Sequence, residues 1–383
     1  MPKLCHASAC TGCGACAQIC PKGAIAMTSD AEGFLRPEIS AEKCVECGLC
    51  EKTCPILDKN VHEVPSSTAF AAHSLDNHAV AQSSSGGLFS LLAQQILDAG
   101  GMVFGAALDE NWNVRHIAVE SKGDLAALRG SKYVQSRLGH TYQQAQQALK
   151  AGRPVLFSGT PCQIGGLRSF LGKDYENLLC VDTICHSVPS EKAWQAFLLE
   201  QSGGEKIAHV SFRDKRDGWQ SYYMCIRTES GREVLLRPGE NPYMQGFLQG
   251  LTTRPSCYQC HFKGNHRLSD ITLGDFWGVE KTYPQHLWKA GTSLVLCHSE
   301  KGQQALKAIG DEAVLEPVND EQALEYNPAY FRSSNAHSKR ARFWSQLENQ
   351  DFSQTLQNCR KAGPVQRVRS LAGAVLRKLG LRH

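Results

Sequence analysis

At 383 residues and 42% hydrophobic content, the chain is long enough for two or three domains with ordinary cores. Its net charge of +4 is concentrated near the C-terminus, where residues 332–383 hold eleven Lys/Arg against two Asp/Glu, and this excludes a basic nucleic-acid-binding body. The chain has seventeen cysteines, no apolar leader in its opening MPKLCHASAC and no run of about eighteen apolar residues; this excludes a small disulfide-stapled domain and a membrane span, and reads as metal-ligating thiols in a reducing, cytoplasmic setting.

Nine of the cysteines precede residue 55. Eight of them form two copies of C-x2-C-x2-C-x3-C-P: Cys10, Cys13, Cys16 and Cys20 before Pro21, then Cys44, Cys47, Cys50 and Cys54 before Pro55. A tight loop of this spacing places three thiolates on three irons of one cube and carries the fourth cysteine to the other cube. The expected ligand sets are therefore Cys10, Cys13, Cys16 and Cys54 for one 4Fe–4S cluster, and Cys44, Cys47, Cys50 and Cys20 for a second. Gly12, Gly14 and Gly48 suit a backbone that wraps closely around a cluster. Zinc also takes paired C-x2-C units, but it requires neither the third cysteine nor the repeated proline. Cys5 falls outside both runs and reads as a surface or packing thiol.

A polar, proline-containing stretch at 59–68 (KNVHEVPSST) reads as a linker, with a new domain from about residue 69. Apolar spacing ending at Gly-Gly predicts a helix across 87–100, and MVFGAAL and VRHIAVE around DENWN predict a strand hairpin. Helical HTYQQAQQALKAG, strand-like PVLFSG, helical PCQIGGLRSFL and strand-like LLCVDTIC follow. The expected class is α+β: a bacterial-type 2×4Fe–4S ferredoxin domain, then a larger α/β body and a helical tail.

In the body, Cys180, Cys225 and Cys297 lie in apolar strand-like runs and read as core residues. Cys162, Cys185, Cys257 and Cys260 lie in SGTPCQ, ICHS and RPSCYQC. Thr160 and Pro161 suit a helix start, where free amides favour a Cys162 thiolate. That thiolate could be a cluster ligand or, with His186, a nucleophile; four such cysteines fit a third cubane better than a zinc site, ordinary packing or a Cys–His enzyme. The serine-glycine run at 83–87 (SSSGG) suits either phosphate binding or helix capping. Arg213, Lys215 and Arg216 are candidates for an anionic ligand, and His186 and Asp182 for proton movement, beside the ordinary alternative of salt bridges. From residue 360 the basic, leucine-spaced tail reads as an interfacial helix on anionic lipid at the inner membrane face, a docking helix, or a helix packed on the body.

Seven segments occur in an order that resembles the coenzyme F420 hydrogenase/dehydrogenase beta-subunit family: SSSGG, RGSKYVQS (129–136), FSGTPCQIGGL (157–167), ICHSVPS (184–190), SFRDKRDGW (211–219), RPSCYQCHFK (254–263) and SDITLGDFWG (269–278). The resemblance implies an iron–sulfur flavoprotein. Its boundaries would be a ferredoxin domain over 1–58, the family's N-terminal domain over 69–150, its C-terminal domain over 151–331 and the basic tail over 332–383. It implies cluster ligation by Cys162, Cys185, Cys257 and Cys260. It also implies FAD near Ser84, Ser85, Gly86, Gly87, Ser131, Lys132, Tyr133, Gln135, Ser136, Gly159, Thr160 and Pro161. Ser187 departs from the pattern, in which glycine often follows the histidine. No residue is assigned as a catalytic acid or base.

The resulting expectation is an oxidoreductase that passes electrons between its clusters and FAD, in either direction, to or from an organic substrate or the deazaflavin coenzyme F420, with a redox protein such as ferredoxin as partner. The alternatives are an electron-relay subunit and a Cys162-dependent transferase.

Overall fold

The computed structural model describes residues 1–58 and 67–360. The basic tail beyond Arg360 and most of the expected linker lie outside them. The first segment has two short helices, Ala15–Ile19 and Leu49–Lys52, and an antiparallel ladder of Ile25–Ser29 with Leu35–Ile39. Each helix is entered through a left-handed glycine directly after the second cysteine of its run, Gly14 (φ 69°) and Gly48 (φ 72°). Only glycine adopts that conformation without strain, so the loop can turn tightly and set the third cysteine in the helix.

The body is built on an eight-stranded mixed sheet. Its four central strands, Met102–Leu108, Val155–Gly159, Leu178–Thr183 and Ile271–Asp275, run parallel. Val114–Val119 closes one edge as the expected hairpin; Ser293–Cys297, Thr68–Ser74 and Ala313–Val318 close the other, all antiparallel. Strand periodicity divides the core. Val103, Leu156, Leu179 and Val181 pack with helix Leu88–Asp98, whereas Phe104, Phe157, Leu178 and Cys180 pack with helices Thr141–Lys150 and Pro161–Leu171. These helices fall where the apolar spacing predicts them. Cys180, Cys225 and Cys297 are buried core residues, as is Cys359.

A second, three-stranded antiparallel sheet (Ile207–Asp214, Tyr223–Thr228 and Glu233–Leu236) packs with helices Glu191–Ser202 and Pro242–Leu248 and with the C-terminal Arg340–Leu347 and Phe352–Arg360. Trp194, Phe197, Tyr243 and Phe352 fill that core. With thirteen α-helices among the described residues, the chain is α+β.

The ferredoxin segment is clamped to the body. The buried Gln18 Oε1 accepts from the Tyr142 amide at 2.9 Å, while Gln143 Nε2 donates to the Gln18 carbonyl at 2.7 Å. Arg340 forms a two-pronged ion pair with Glu32, and Ser190 donates its hydroxyl to the Glu32 carbonyl. Gly166, in helix Pro161–Leu171, also lies against the segment: a Cβ there would stand 2.9 Å from Cys13 Sγ and 2.8 Å from the Tyr142 hydroxyl.

Gly166→Ala therefore sets two effects against each other: about 1 kcal/mol gained from helix propensity and roughly 1–3 kcal/mol lost to overpacking. A lower thermal midpoint is expected, with earlier loss of cluster absorbance. An unchanged or higher midpoint would show that the contact has slack.

The edge-strand His116 supplies a second test. It stacks on Phe157 with ring centroids 5.4 Å apart. Its Nε2 faces the Ser158 carbonyl at 2.8 Å and so carries the proton, leaving Nδ1 to accept from the Ser136 hydroxyl at 2.7 Å. Burial pushes its pKa down to about 4. The unfolded chain therefore binds a proton that the native state refuses, and stability falls as pH drops from about 6.5 toward 4. Between pH 7 and 5 this amounts to about 2 kcal/mol. His116→Phe should show a visibly smaller drop in unfolding midpoint over that range than the parent.

Candidate functional site

The cysteines line two cavities. Cys20, Cys44, Cys47 and Cys50 line one, closed by Pro21, Ile25 and Leu49. Cys20 thus comes from the first run and its three companions from the second. Cys10, Cys13, Cys16 and Cys54 stand together at the other end of the segment. Burial and, after it, the neighbouring Cys13, Cys10 and Cys54 thiols push Cys16 up. Cys5, read as a surface or packing thiol, is partly buried beside Cys10 and Cys54 and lowers both.

The other cavity is lined by Cys162, Cys185, Cys257 and Cys260. Each comes from a different local device. Cys162 is in the first turn of helix Pro161–Leu171, whose start is a capping box of Thr160 and Gln163 with Pro161 in the first helical position. Cys185 follows the central strand Leu178–Thr183. Cys257 is in the short 3-10 turn Pro255–Gln259, and Cys260 ends that turn. Ala9 and Thr11 from the first ferredoxin loop complete the wall, so the ferredoxin segment and the body share this cavity.

The thiols are open to the cavity and otherwise enclosed by protein. Burial pushes Cys185 to about 11 and Cys257 to about 12, and Cys162 well above its ordinary value; the Thr160 hydroxyl, 3.2 Å from Sγ, only partly offsets this for Cys162. Burial outweighs the helix start at Cys162, so its surroundings disfavour the thiolate that helix position alone favours. His186 Nε2 is buried with no hydrogen-bond partner, and the ring stands edge-on to Phe247. No Cys–His dyad is formed among the described residues. Among those residues no three His, Cys, Asp or Glu side chains stand as ligands of a single ion; the thiols surround cavities instead.

Behind Cys185, the fully buried Asp182 pairs with Arg267 at 3.0 Å, and Thr272 donates to it at 2.5 Å. Lys263 Nζ donates to the Cys185 carbonyl at 2.5 Å. Ser187, which departs from the family pattern, is buried and bonded to the Thr253 hydroxyl at 3.2 Å.

Some of the segments expected near a flavin touch one another. Ser84 and Ser131 share a hydrogen bond of 2.7 Å. Tyr133 packs on Phe212 and Phe247, and Gln135 donates to the Thr11 carbonyl at 2.8 Å. Gln163 Nε2 donates to Ser136 Oγ at 2.9 Å, and the Thr160 amide and Gly159 lie against Gln163. Lys132 Nζ is committed to the Ala127 and Arg129 carbonyls. The serines do not cap helix Leu88–Asp98: Gly87, left-handed at φ 85°, occupies the cap, and Ser85 donates to the Thr292 carbonyl. Gly86 approaches the Ala72 carbonyl so closely that a Cβ would stand 2.5 Å from it.

Of the three cations that could meet an anion, Arg216 is spent on Asp214 and Glu233, and Lys215 on the Val80, Ser85 and Ala290 carbonyls. Arg213 differs. It pairs with Asp275 at 2.5 Å beneath Tyr222 and Trp277, yet its buried Nε and Nη2 have no partner. Sequence reasoning groups these three cations by proximity and passes over Gln163, Asp275 and Arg254. The only signal for Arg254 is its place three residues before Cys257.

Comparison with known proteins gives the family. The model of the C terminus of the coenzyme F420 hydrogenase/dehydrogenase beta chain matches residues 152–322, and that of its N-terminal part matches 69–141; together they cover more than half of the chain. A 4Fe-4S dicluster domain matches 9–56. No curated protein matches. A chain in a structure of the F420-reducing NiFe hydrogenase complex from Methanosarcina barkeri is similar at 17% identity, with a TM-score of 0.47, over 70% of this chain and 92% of that one. The chain belongs to the coenzyme F420 hydrogenase/dehydrogenase beta-subunit family and, with its 4Fe-4S dicluster domain, is an iron–sulfur subunit of oxidoreductase type that transfers electrons.

Proposed function

We propose that the chain is an iron–sulfur flavoprotein oxidoreductase in which three 4Fe–4S clusters and FAD connect a one-electron redox partner to an organic hydride donor or acceptor. The observation that carries this reading is the shared cavity: four cysteines of the body, with Ala9 and Thr11 of the first ferredoxin loop in the same wall. A redox centre held there would lie next to the cluster ligated by Cys10, Cys13, Cys16 and Cys54. The second ferredoxin cluster, on Cys20, Cys44, Cys47 and Cys50, would be the outer one, and Cys47 is solvent-exposed.

What supports a flavin is the pair of unpartnered, buried Arg213 donors, suited to an anionic or carbonyl oxygen, beside Tyr133 and the Ser84–Ser131 pair. FAD, when bound, exchanges single electrons with clusters and a hydride with an organic partner. The chain's residues would bind and orient it. Arg213 offers charge and two N–H donors held in place by Asp275. Lys215 ties the Ser85 carbonyl of the serine loop to those of Val80 and Ala290, and the aromatic rings of Tyr133, Tyr222 and Trp277 would exclude water. Deazaflavin F420 and other organic hydride carriers are the partners to try in steady-state turnover by the purified chain. A redox partner protein fits a family described as subunits.

The test is cofactor content after anaerobic purification. About twelve irons and one flavin per chain are expected. Cys257→Ser should remove about four irons and leave about eight, and Arg213→Met should lose flavin while keeping iron. About eight irons and no flavin in the parent chain would overturn the reading.

A further inference from the structure

Arg254 is among the largest fully buried side chains. Its guanidinium bridges the two halves of the molecule. Nε donates to the Cys10 carbonyl at 2.8 Å and Nη2 to the Leu35 carbonyl at 2.8 Å, both in the ferredoxin segment. Nη1 donates to Gln135 Oε1 at 2.9 Å, in the body. Nη2 also lies 3.7 Å from Cys10 Sγ. On the other side Arg254 lines the cavity of the four body cysteines, and its carbonyl receives the Cys257 amide at 3.0 Å. A Cβ on Gly12 would stand 2.7–2.9 Å from three guanidinium atoms, so the first ferredoxin loop lies directly on the charge.

Among the described residues no carboxylate pairs with Arg254; its oxygen partners are two carbonyls and an amide. Arginine does not give up its proton in a protein. A fully buried, permanently charged group without a counter-ion is costly, and neutral hydrogen bonds compensate only part of that cost. A 4Fe–4S core with four thiolates is an anion in both of its usual oxidation states. Two such anions would flank this guanidinium, one on Cys10 and one on Cys257.

We infer that Arg254 is the buried counter-cation shared by the inner ferredoxin cluster and the body cluster, a positioning residue that favours the reduced form of both. The inference rests on the body cluster proposed above. An electron arriving on either cluster adds negative charge next to a fixed positive one, so both reduction potentials are raised. The outer cluster is excluded, because Arg254 does not line the cavity of Cys20, Cys44, Cys47 and Cys50. Cluster potentials respond to charge and hydrogen bonds around the sulfurs in this way.

The test is a redox titration followed by electron paramagnetic resonance on the full-length holoprotein. In Arg254→Gln, reduction of the inner and body clusters should become at least about tenfold less favourable, 59 mV for a one-electron couple, with the outer cluster unmoved. Arg254→Lys should recover most of the shift. Retained iron with no shift, or an equal shift in all three clusters, would overturn the inference. If Arg254→Gln loses iron, Gln135→Glu decides, because it sets a carboxylate against Nη1 and neutralises the guanidinium in place. The same two potentials should fall, and no change would again overturn the role. A parent chain with only two clusters would refute the proposed body cluster instead, and the effect of Arg254 on the inner ferredoxin cluster would still be measurable.

Discussion

An electron relay assembled from two parts of one chain depends on how closely the parts approach, because any gap admits water and separates the redox centres. Here the approach is set by backbone without side chains. Gly12 lies on the Arg254 guanidinium and Gly166 lies on Cys13, each so close that a single Cβ would fall under 3 Å from its neighbour. The rest of the arrangement follows. Helix Pro161–Leu171 must start at the mouth of the body cavity to present Cys162, and its second turn must be bare where the ferredoxin helix packs. The Pro255–Gln259 turn must begin at Arg254 so that Cys257 and the charge share one wall.

The sheet explains why the body can hold such a site. Its central parallel strands end on one side of the fold, and their following segments deliver Cys162 and Cys185 side by side. This is the usual place for ligands in parallel sheets, where loops converge beyond the strand ends. The three-stranded sheet and the C-terminal helices have a different task. Of the elements around them, helices Glu191–Ser202 and Arg340–Leu347 hold the far side of the ferredoxin segment, Lys192 on the Ala31 carbonyl and Arg340 on Glu32, so it is gripped at both ends.

Local chemistry is legible from sequence. Twin cysteine runs, the capped start at Thr160–Pro161, the helix after the serine run and the strand hairpin all have signatures within a dozen residues. Four features have none. Arg254 meets Cys10 across 244 positions, and nothing in RPSCYQC distinguishes a guanidinium aimed at a ferredoxin from one in solvent. The unpartnered Arg213 donors depend on Asp275 arriving from another strand. At Cys162, position within the helix favours a thiolate, but burial, which only the folded chain reveals, pushes the thiol the other way. Glycines in a sequence signal turns; at Gly166 the larger role is contact, and it is invisible until the partner surface is known.

Electron paramagnetic resonance of the fully reduced protein tests most directly whether the body cavity holds a redox centre in electronic contact with the inner ferredoxin cluster. Adjacent reduced clusters should give a spin-coupled spectrum that simplifies in Cys257→Ser to that of the two ferredoxin clusters alone. A parent spectrum already equal to that of two ferredoxin clusters, unaltered by Cys257→Ser, would contradict it.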